Sequence, residues 1–257
     1  MPTRRNTVSS SYLDLLGELN LSGMKESIEY RMSEATKGNL DFDEFICLLL
    51  GDEKIYRTNR RSELLRRKAK FNDSISLEDF EVQPQRGVNK TMIKKLGTLG
   101  FIDQGENIIF IGGTGAGKSY LAQALGQRSC LNGFESLYFP VNKLFKQVQE
   151  AEATGTYLKL LERIKKAKLV ILDDFGLRNY SHAEATTLYD LLEDRYKKGS
   201  IVITSQVKPA GWRHLFEDEV IAEAIIDRLT SSSHIIEIKG PSYRKNHLPK
   251  EKIECKE

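Results

Sequence analysis

The apolar positions of this chain follow two different rules. Up to Lys70 they recur at helical spacing. Leu13, Leu15, Leu16, Leu19 and Leu21 lead into a predicted helix from Ser22 to Thr36, with Gly38 as its stop. A longer helix opens at Asp41-Phe42-Asp43-Glu44, where Asp41 and Glu44 stand at capping-box spacing, and it is apolar on one side through Phe45, Leu48 and Leu49. From Asn107 onward the apolar residues come as short unbroken runs: Asn107–Ile111, Glu135–Phe139, Lys168–Leu172, Ser200–Ile203 and Ile235–Ile238. Unbroken runs of this length fit strands covered on both faces. Helical patterns separate them at Tyr120–Arg128, Leu144–Glu152, Tyr157–Lys166, His182–Lys197 and Val220–Leu229, and a short amphipathic one precedes them at Lys90–Leu99. Phe71 to Gly87, with Pro84, has no period and is predicted to be a connector. The pattern is that of an α/β protein preceded by a small all-helical region.

The junction between the first strand and the next helix carries the first chemical signal. Gly112-Gly113-Thr114-Gly115-Ala116-Gly117-Lys118-Ser119 fits G-x-x-x-x-G-K-[ST], in which main-chain N–H groups of a glycine-rich loop wrap phosphates. Strand, loop and helix in that order also aim a positive helix end at the phosphates. Lys118 is placed for the β- and γ-phosphates and Ser119 for Mg²⁺. Tyr120 follows directly. A second signal is the run Leu169 to Leu172 ending in Asp173-Asp174, since ligands gather at the carboxyl ends of parallel strands. There Asp173 supports the metal ion and Asp174 polarises an attacking water. Ser205 and Gln206 end the next buried run, where a polar side chain can sense the γ-phosphate. Arg228 closes the last helix; it either pairs with Asp227 or projects to a neighbouring subunit. Trp212, the single tryptophan, is assigned to packing.

Charge matters by position. The net charge of +3 says little, but Lys54 to Lys70 holds eight basic residues and one acid, Glu63. On a helix, Lys54, Arg57, Arg60, Arg61, Arg67 and Lys68 fall within an arc of about 140°. Such a cation stripe without compensating carboxylates fits phosphate backbones better than base readout; a solvated face or an acidic protein partner would use it too. Cys47, Cys130 and Cys255 have no metal-ligand spacing, and with four histidines they argue against a zinc site and for a reducing cytoplasm. No run approaches a membrane span, and the first residues lack the apolar core of a secretion signal, so a cytoplasmic protein is expected.

Taken together, the motifs resemble the IstB-like ATPases, helper proteins of insertion-sequence transposition that are similar to DnaC-type helicase loaders. The resemblance runs through Gly112–Ala122, Leu169–Gly176, Ile203–Gln206 with Trp212, Ile225–Leu229, and Gly240-Pro241-Ser242-Tyr243-Arg244. It extends to Leu21–Lys25, Asn59–Arg61, Ala69–Phe71 and Leu77–Phe80 in the first part. It implies an AAA+ core, a five-stranded parallel sheet flanked by helices, within an ATPase domain at residues 76–257, and a helical DNA- or partner-binding domain at 1–75. Asp173 would be the Walker B metal acid, Asp174 the catalytic acid, Ser205 or Gln206 sensor 1, and Arg228 an arginine finger acting in trans. ATP and Mg²⁺ would be the cofactors. Duplex DNA, the transposase of the same element and further copies of the chain would be the partners. Asp174 is one methylene shorter than the Glu of many AAA+ enzymes, which suits slow hydrolysis. Nineteen residues follow Ile238, too few for the usual helical lid, and this leaves the role of Arg244 open. A helicase loader is the alternative, although the arginine stripe favours the transposition helper. A small-molecule kinase is disfavoured by Asp173-Asp174 and Arg228.

Overall fold

The computed structural model describes residues 5–38, 40–71, 75–82, 86–240 and 242–243. Pro84, Arg244 and Cys255 lie outside the described residues. The chain divides into two compact units, Met1–Leu64 and Leu65–Glu257.

The first unit contains α1 (Arg5–Glu18), α2 (Ser22–Gly38) and the first part of α3 (Phe42–Ala69). Asp41 caps α3 as its spacing predicts, accepting the Glu44 N–H at 2.7 Å. Helix α2 meets α3 at Gly23, where an added Cβ would stand 2.6 Å from Tyr56 Cβ and 2.8 Å from Glu53 Cα. Close approach of two backbones therefore requires glycine there. Polar contacts fix the crossing: Arg31 forks onto both oxygens of Asp52 at 2.8 Å, and the Met24 N–H reaches Glu53 Oε2 at 3.1 Å. The Arg31 hydrogen bonds hold the Asp52 carboxyl below its ordinary value.

The second unit carries the remaining elements around one sheet. They are α4 (Lys90–Gly97), α5 (Gly100–Asp103), β1 (Asn107–Gly112), α6 (Lys118–Leu131), β2 (Ser136–Pro140), α7 (Val141–Ala153) and α8 (Tyr157–Lys166). After them come β3 (Leu169–Phe175), α9 (His182–Arg195), β4 (Ser200–Ser205), α10 (Glu219–Thr230) and β5 (Ser233–Ile238). The five strands are parallel in the order β2-β3-β4-β1-β5. Alternation along each strand splits the core in two. Ile108, Phe110, Leu169, Ile171 and Val202 pack with α5 and α6. Ile109, Ile111, Val170, Leu172, Ile201 and Ile203 pack with α7, α9 and α10. Both faces of the central strands are covered, which is why their sequences read as unbroken apolar runs.

The stretch after α3 forms no strand or α-helix among the described residues up to Gly87, as expected of a connector, and it also contributes core residues that its sequence does not announce. Phe71, Ile75, Leu77 and Phe80 are buried in the same core as α6. Phe71 lies against Gly126 of α6 so closely that any Cβ there would overlap its ring. The dependence on a glycine far along the chain is invisible to a local pattern. Trp212 packs as expected: it is fully buried, 4.6 Å from the Phe175 ring centroid, with Nε1 donating to Val207 O at 2.9 Å.

Candidate functional site

The loop from Gly112 to Ser119 leaves β1 and enters α6, and its glycines are sterically required. Gly115 and Gly117 have φ of +76° and +103°, conformations that only glycine adopts at low cost. A Cβ on Gly112 would overlap Ile238 O, and one on Gly115 would overlap Ser242 Oγ. Lys118 is the first residue of α6; its buried Nζ donates to Gly112 O and Gly113 O, both at 2.9 Å. Burial pulls the Lys118 pKa down, and Asp174 and Asp173 pull against it. Ala116 turns its methyl into the core.

A cavity of about 780 Å³ opens beside this loop, lined by Thr114, Gly115, Gly117, Lys118, Ser119 and Tyr120. The far wall brings Asp173, Asp174 and Gln206 to the same space. Asp173 is 3% exposed, at the end of β3. Asp174 is exposed and stands at φ +59°, where the β3–β4 register is interrupted. Gln206 reaches the phosphate loop, its Oε1 accepting from Thr114 Oγ1 at 3.0 Å. Ser205 does not line the cavity; its hydroxyl donates to Phe175 O at 2.8 Å and accepts from the Val207 N–H at 3.1 Å. Gln206 lies just past the end of β4, where its side chain is released into the cavity while that of Ser205 turns inward.

Three further side chains, none of them singled out from the sequence as a site residue, support or line the cavity. Tyr138, on β2, donates its hydroxyl to Asp173 Oδ2 at 2.6 Å. Thr204, on β4, donates to Asp173 Oδ1 and accepts from the Asp174 N–H at 3.0 Å. Burial, with the Asp173 bond, drives the Tyr138 pKa far above the ordinary phenol value, so it stays a donor. Tyr243 closes the other side: its N–H donates to Gly115 O at 2.9 Å, and the Arg86 guanidinium lies 3.6 Å from its ring centroid. Thr204 and Tyr243 lie within stretches that carry the family resemblance, Ile203–Gln206 and Gly240–Arg244; for Tyr138 the sequence held no signal.

These residues fit a nucleoside triphosphate with its metal ion. Glycines clear space for phosphates, a buried ammonium stands at the helix end, and Ser119 Oγ and a buried carboxylate offer hard oxygen ligands of the kind Mg²⁺ takes.

Arg228 lies apart from this cavity. Its Nε donates to Glu193 of α9, and it sits 4.9 Å from the Tyr189 ring centroid. Glu193, rather than Asp227, is its ion-pair partner.

The stripe on α3 is exposed at all six positions, Lys54, Arg57, Arg60 and Arg61 in the first unit and Arg67 and Lys68 in the second. One expectation about it fails. The stripe is not free of compensating carboxylates, because Arg57 Nε donates to Glu53 Oε1 at 2.6 Å, one turn back.

Residues 14–251 match the family described as IstB-like ATP binding protein. The chain belongs to that family. It is 33% identical over 239 residues to an insertion-sequence ATP-binding protein of Sinorhizobium fredii, covering 93% of this chain and 96% of that one. It is also 33% identical to the insertion sequence IS21 ATP-binding protein of Pseudomonas aeruginosa, over 90% of this chain and 87% of that one. Among solved structures, AMPPCP-bound DnaA from Aquifex aeolicus aligns with a TM-score of 0.56 at 21% identity, covering 66% of this chain and 51% of that one. The DnaC helicase loader aligns at 0.51 and 18% identity, covering 65% and 98%. These likenesses show the fold of this IstB-like protein's core, an AAA+ P-loop sheet, and helices α1 to α3 precede it along the chain. Among the described residues no helix is long and apolar enough to cross a membrane.

Proposed function

We propose that this protein is a DNA transposition helper that binds ATP with Mg²⁺, assembles on duplex DNA, and recruits and stimulates the transposase of its element. One observation carries the reading: Lys118, Ser119, Asp173, Asp174 and Gln206 line one cavity, while Arg228 lies outside it. A site with its phosphate loop, metal acid and water-orienting acid, but no arginine among its described lining residues, is half of a site. A neighbouring subunit then supplies Arg228.

In this scheme Lys118 exchanges its bonds to Gly112 O and Gly113 O for the β- and γ-phosphate oxygens of ATP. Ser119 and Asp173 would hold Mg²⁺, which would supply charge neutralisation to the phosphates. Asp174 orients a water toward the γ-phosphorus; the bond from that phosphorus to the bridging oxygen breaks, giving ADP and phosphate. Gln206 is placed to report whether the γ-phosphate is present. The neighbour's Arg228 leaves Glu193 and neutralises charge growing on the equatorial oxygens. Hydrolysis that waits for a neighbour works as a timer on assembly. The α3 stripe, with residues 1–75 as the DNA- and partner-binding part, holds phosphate backbones with little sequence preference. The protein acts in the cytoplasm.

ATPase rate and particle size, each measured with and without duplex DNA, test this. The expected result is that ATP and DNA together enlarge the particle and raise turnover. A particle that stays monomeric, with turnover indifferent to DNA, would overturn it. Assembly only on a hexameric replicative helicase would mark a helicase loader instead.

A further inference from the structure

The carboxylate of Asp173 is gripped from both sides. The strands flanking β3 each send it one hydroxyl: Tyr138 from β2 to Oδ2 at 2.6 Å, and Thr204 from β4 to Oδ1. Both donors are neutral. An arginine in either place would cancel the charge that a cation needs, whereas hydroxyls orient the group and leave it at −1. An ionised carboxylate has about four acceptor positions, so two remain for a metal ion or its waters.

Neither donor can drift. Thr204 is fully buried, and with its proton on Asp173 its oxygen accepts from the Asp174 N–H at 3.0 Å. Tyr138 packs its ring against Phe71, centroids 6.1 Å apart, and Phe71 is itself lodged against Gly126. The phenol therefore comes to Asp173 on a rigid backing.

We propose that Tyr138 is a positioning residue of the nucleotide site, a clamp that sets the Asp173 carboxylate in the orientation used for the metal ion accompanying ATP, with Thr204 as its counterpart. The proposal rests on the reading of Asp173 as the metal acid. A ligand held before the metal arrives loses little freedom on binding, and removing such an outer partner typically costs 10- to 100-fold in metal affinity.

Tyr138→Phe keeps the ring and deletes the hydroxyl. The measurement is binding of a fluorescent ATP analogue to the full chain, titrated with Mg²⁺ and repeated in EDTA. The expected result is a roughly tenfold rise in the half-saturating Mg²⁺ concentration with unchanged affinity in EDTA. An unchanged Mg²⁺ requirement overturns the clamp, and so does an equal loss with and without metal, which would mean packing alone. Thr204→Val should raise the requirement and Thr204→Ser restore it; this pair decides the matter if Tyr138→Phe fails to fold. Asp173→Asn separates the layers. If it keeps the Mg²⁺-dependent gain, the metal-acid reading fails. If it loses the gain while Tyr138→Phe and Thr204→Val keep it, only the clamp fails.

Discussion

Lys118 is bonded to carbonyls of its own loop, so at this residue nucleotide binding is an exchange of partners. Lys118→Ala should abolish ATP binding, and intact affinity by equilibrium titration would end the assignment of this loop. Gly115→Ala should do the same with the fold retained, because a Cβ would overlap Ser242 and φ is +76°. Asp174→Asn should bind ATP normally and lose turnover by about 10²- to 10⁴-fold, the usual worth of a positioned base; single-turnover hydrolysis at the ordinary rate would remove Asp174 from the mechanism. Lys118 and Asp173 were legible because a loop and a strand end are local features with fixed spacing. Tyr138 was not, since its hydroxyl matters only where β2 lies beside β3.

Whole elements are legible in the sequence where one element makes its own pattern. The central strands β1, β3 and β4 announce themselves because they are buried on two faces, whereas the edge strand β5 leaves Ile235 and Glu237 exposed. Tyr157–Lys166 has the expected limits because Thr154-Gly155-Thr156 and Ala167 bound it. The core positions Phe71, Ile75, Leu77 and Phe80 of the connector were not legible, because the burial of Phe71 and Phe80 is met by Gly126 and Tyr120, far along the chain. Helix α3 shows both outcomes: its cap and stripe were legible, its Glu53–Arg57 pair was overlooked. Each stripe cation that meets a phosphate contributes about one counterion to the salt dependence. Replacing Lys54, Arg60 and Lys68 by alanine should therefore flatten the plot of DNA affinity against salt by about three, whereas Arg57→Ala alone changes it least. An unchanged slope in the triple variant places the DNA elsewhere.

The same helix gives the α2–α3 crossing a pH dependence. Asp52 titrates lower folded than unfolded because Arg31 hydrogen-bonds it. Burial raises Glu53, but the Arg57 bond and the Met24 and Gly23 amides outweigh it, and the net shift is down. Between its folded and unfolded values each carboxylate binds more protons when unfolded, so stability is present above the ordinary value and lost as pH falls through the folded one. Hydrogen exchange of α2 amides should thus accelerate as pH drops below the ordinary Asp value of 3.8, beyond the intrinsic pH trend. Asp52→Asn should already exchange fast at neutral pH; equal protection in the two proteins would exclude the Arg31 fork as the fastener.

Across the whole molecule, the proposed catalytic groups are divided between a cavity and an arginine outside it, so complementation is the decisive measurement. Arg228→Ala and Lys118→Ala subunits should each be inactive alone, and mixing them should restore part of the turnover. No rescue at any ratio would place Arg228 outside the mechanism.

The left-handed backbone at Asp174 bears on how this protein can change over generations. Asp, Asn and Gly enter that conformation most easily among residue types. A longer acid gains reach there but meets backbone resistance, so drift runs more readily toward Asn than toward Glu. Asn keeps the Thr204 bond to the main-chain N–H and removes the charge. One substitution would thus separate the timed hydrolysis proposed above from a form that binds ATP and stays in that state.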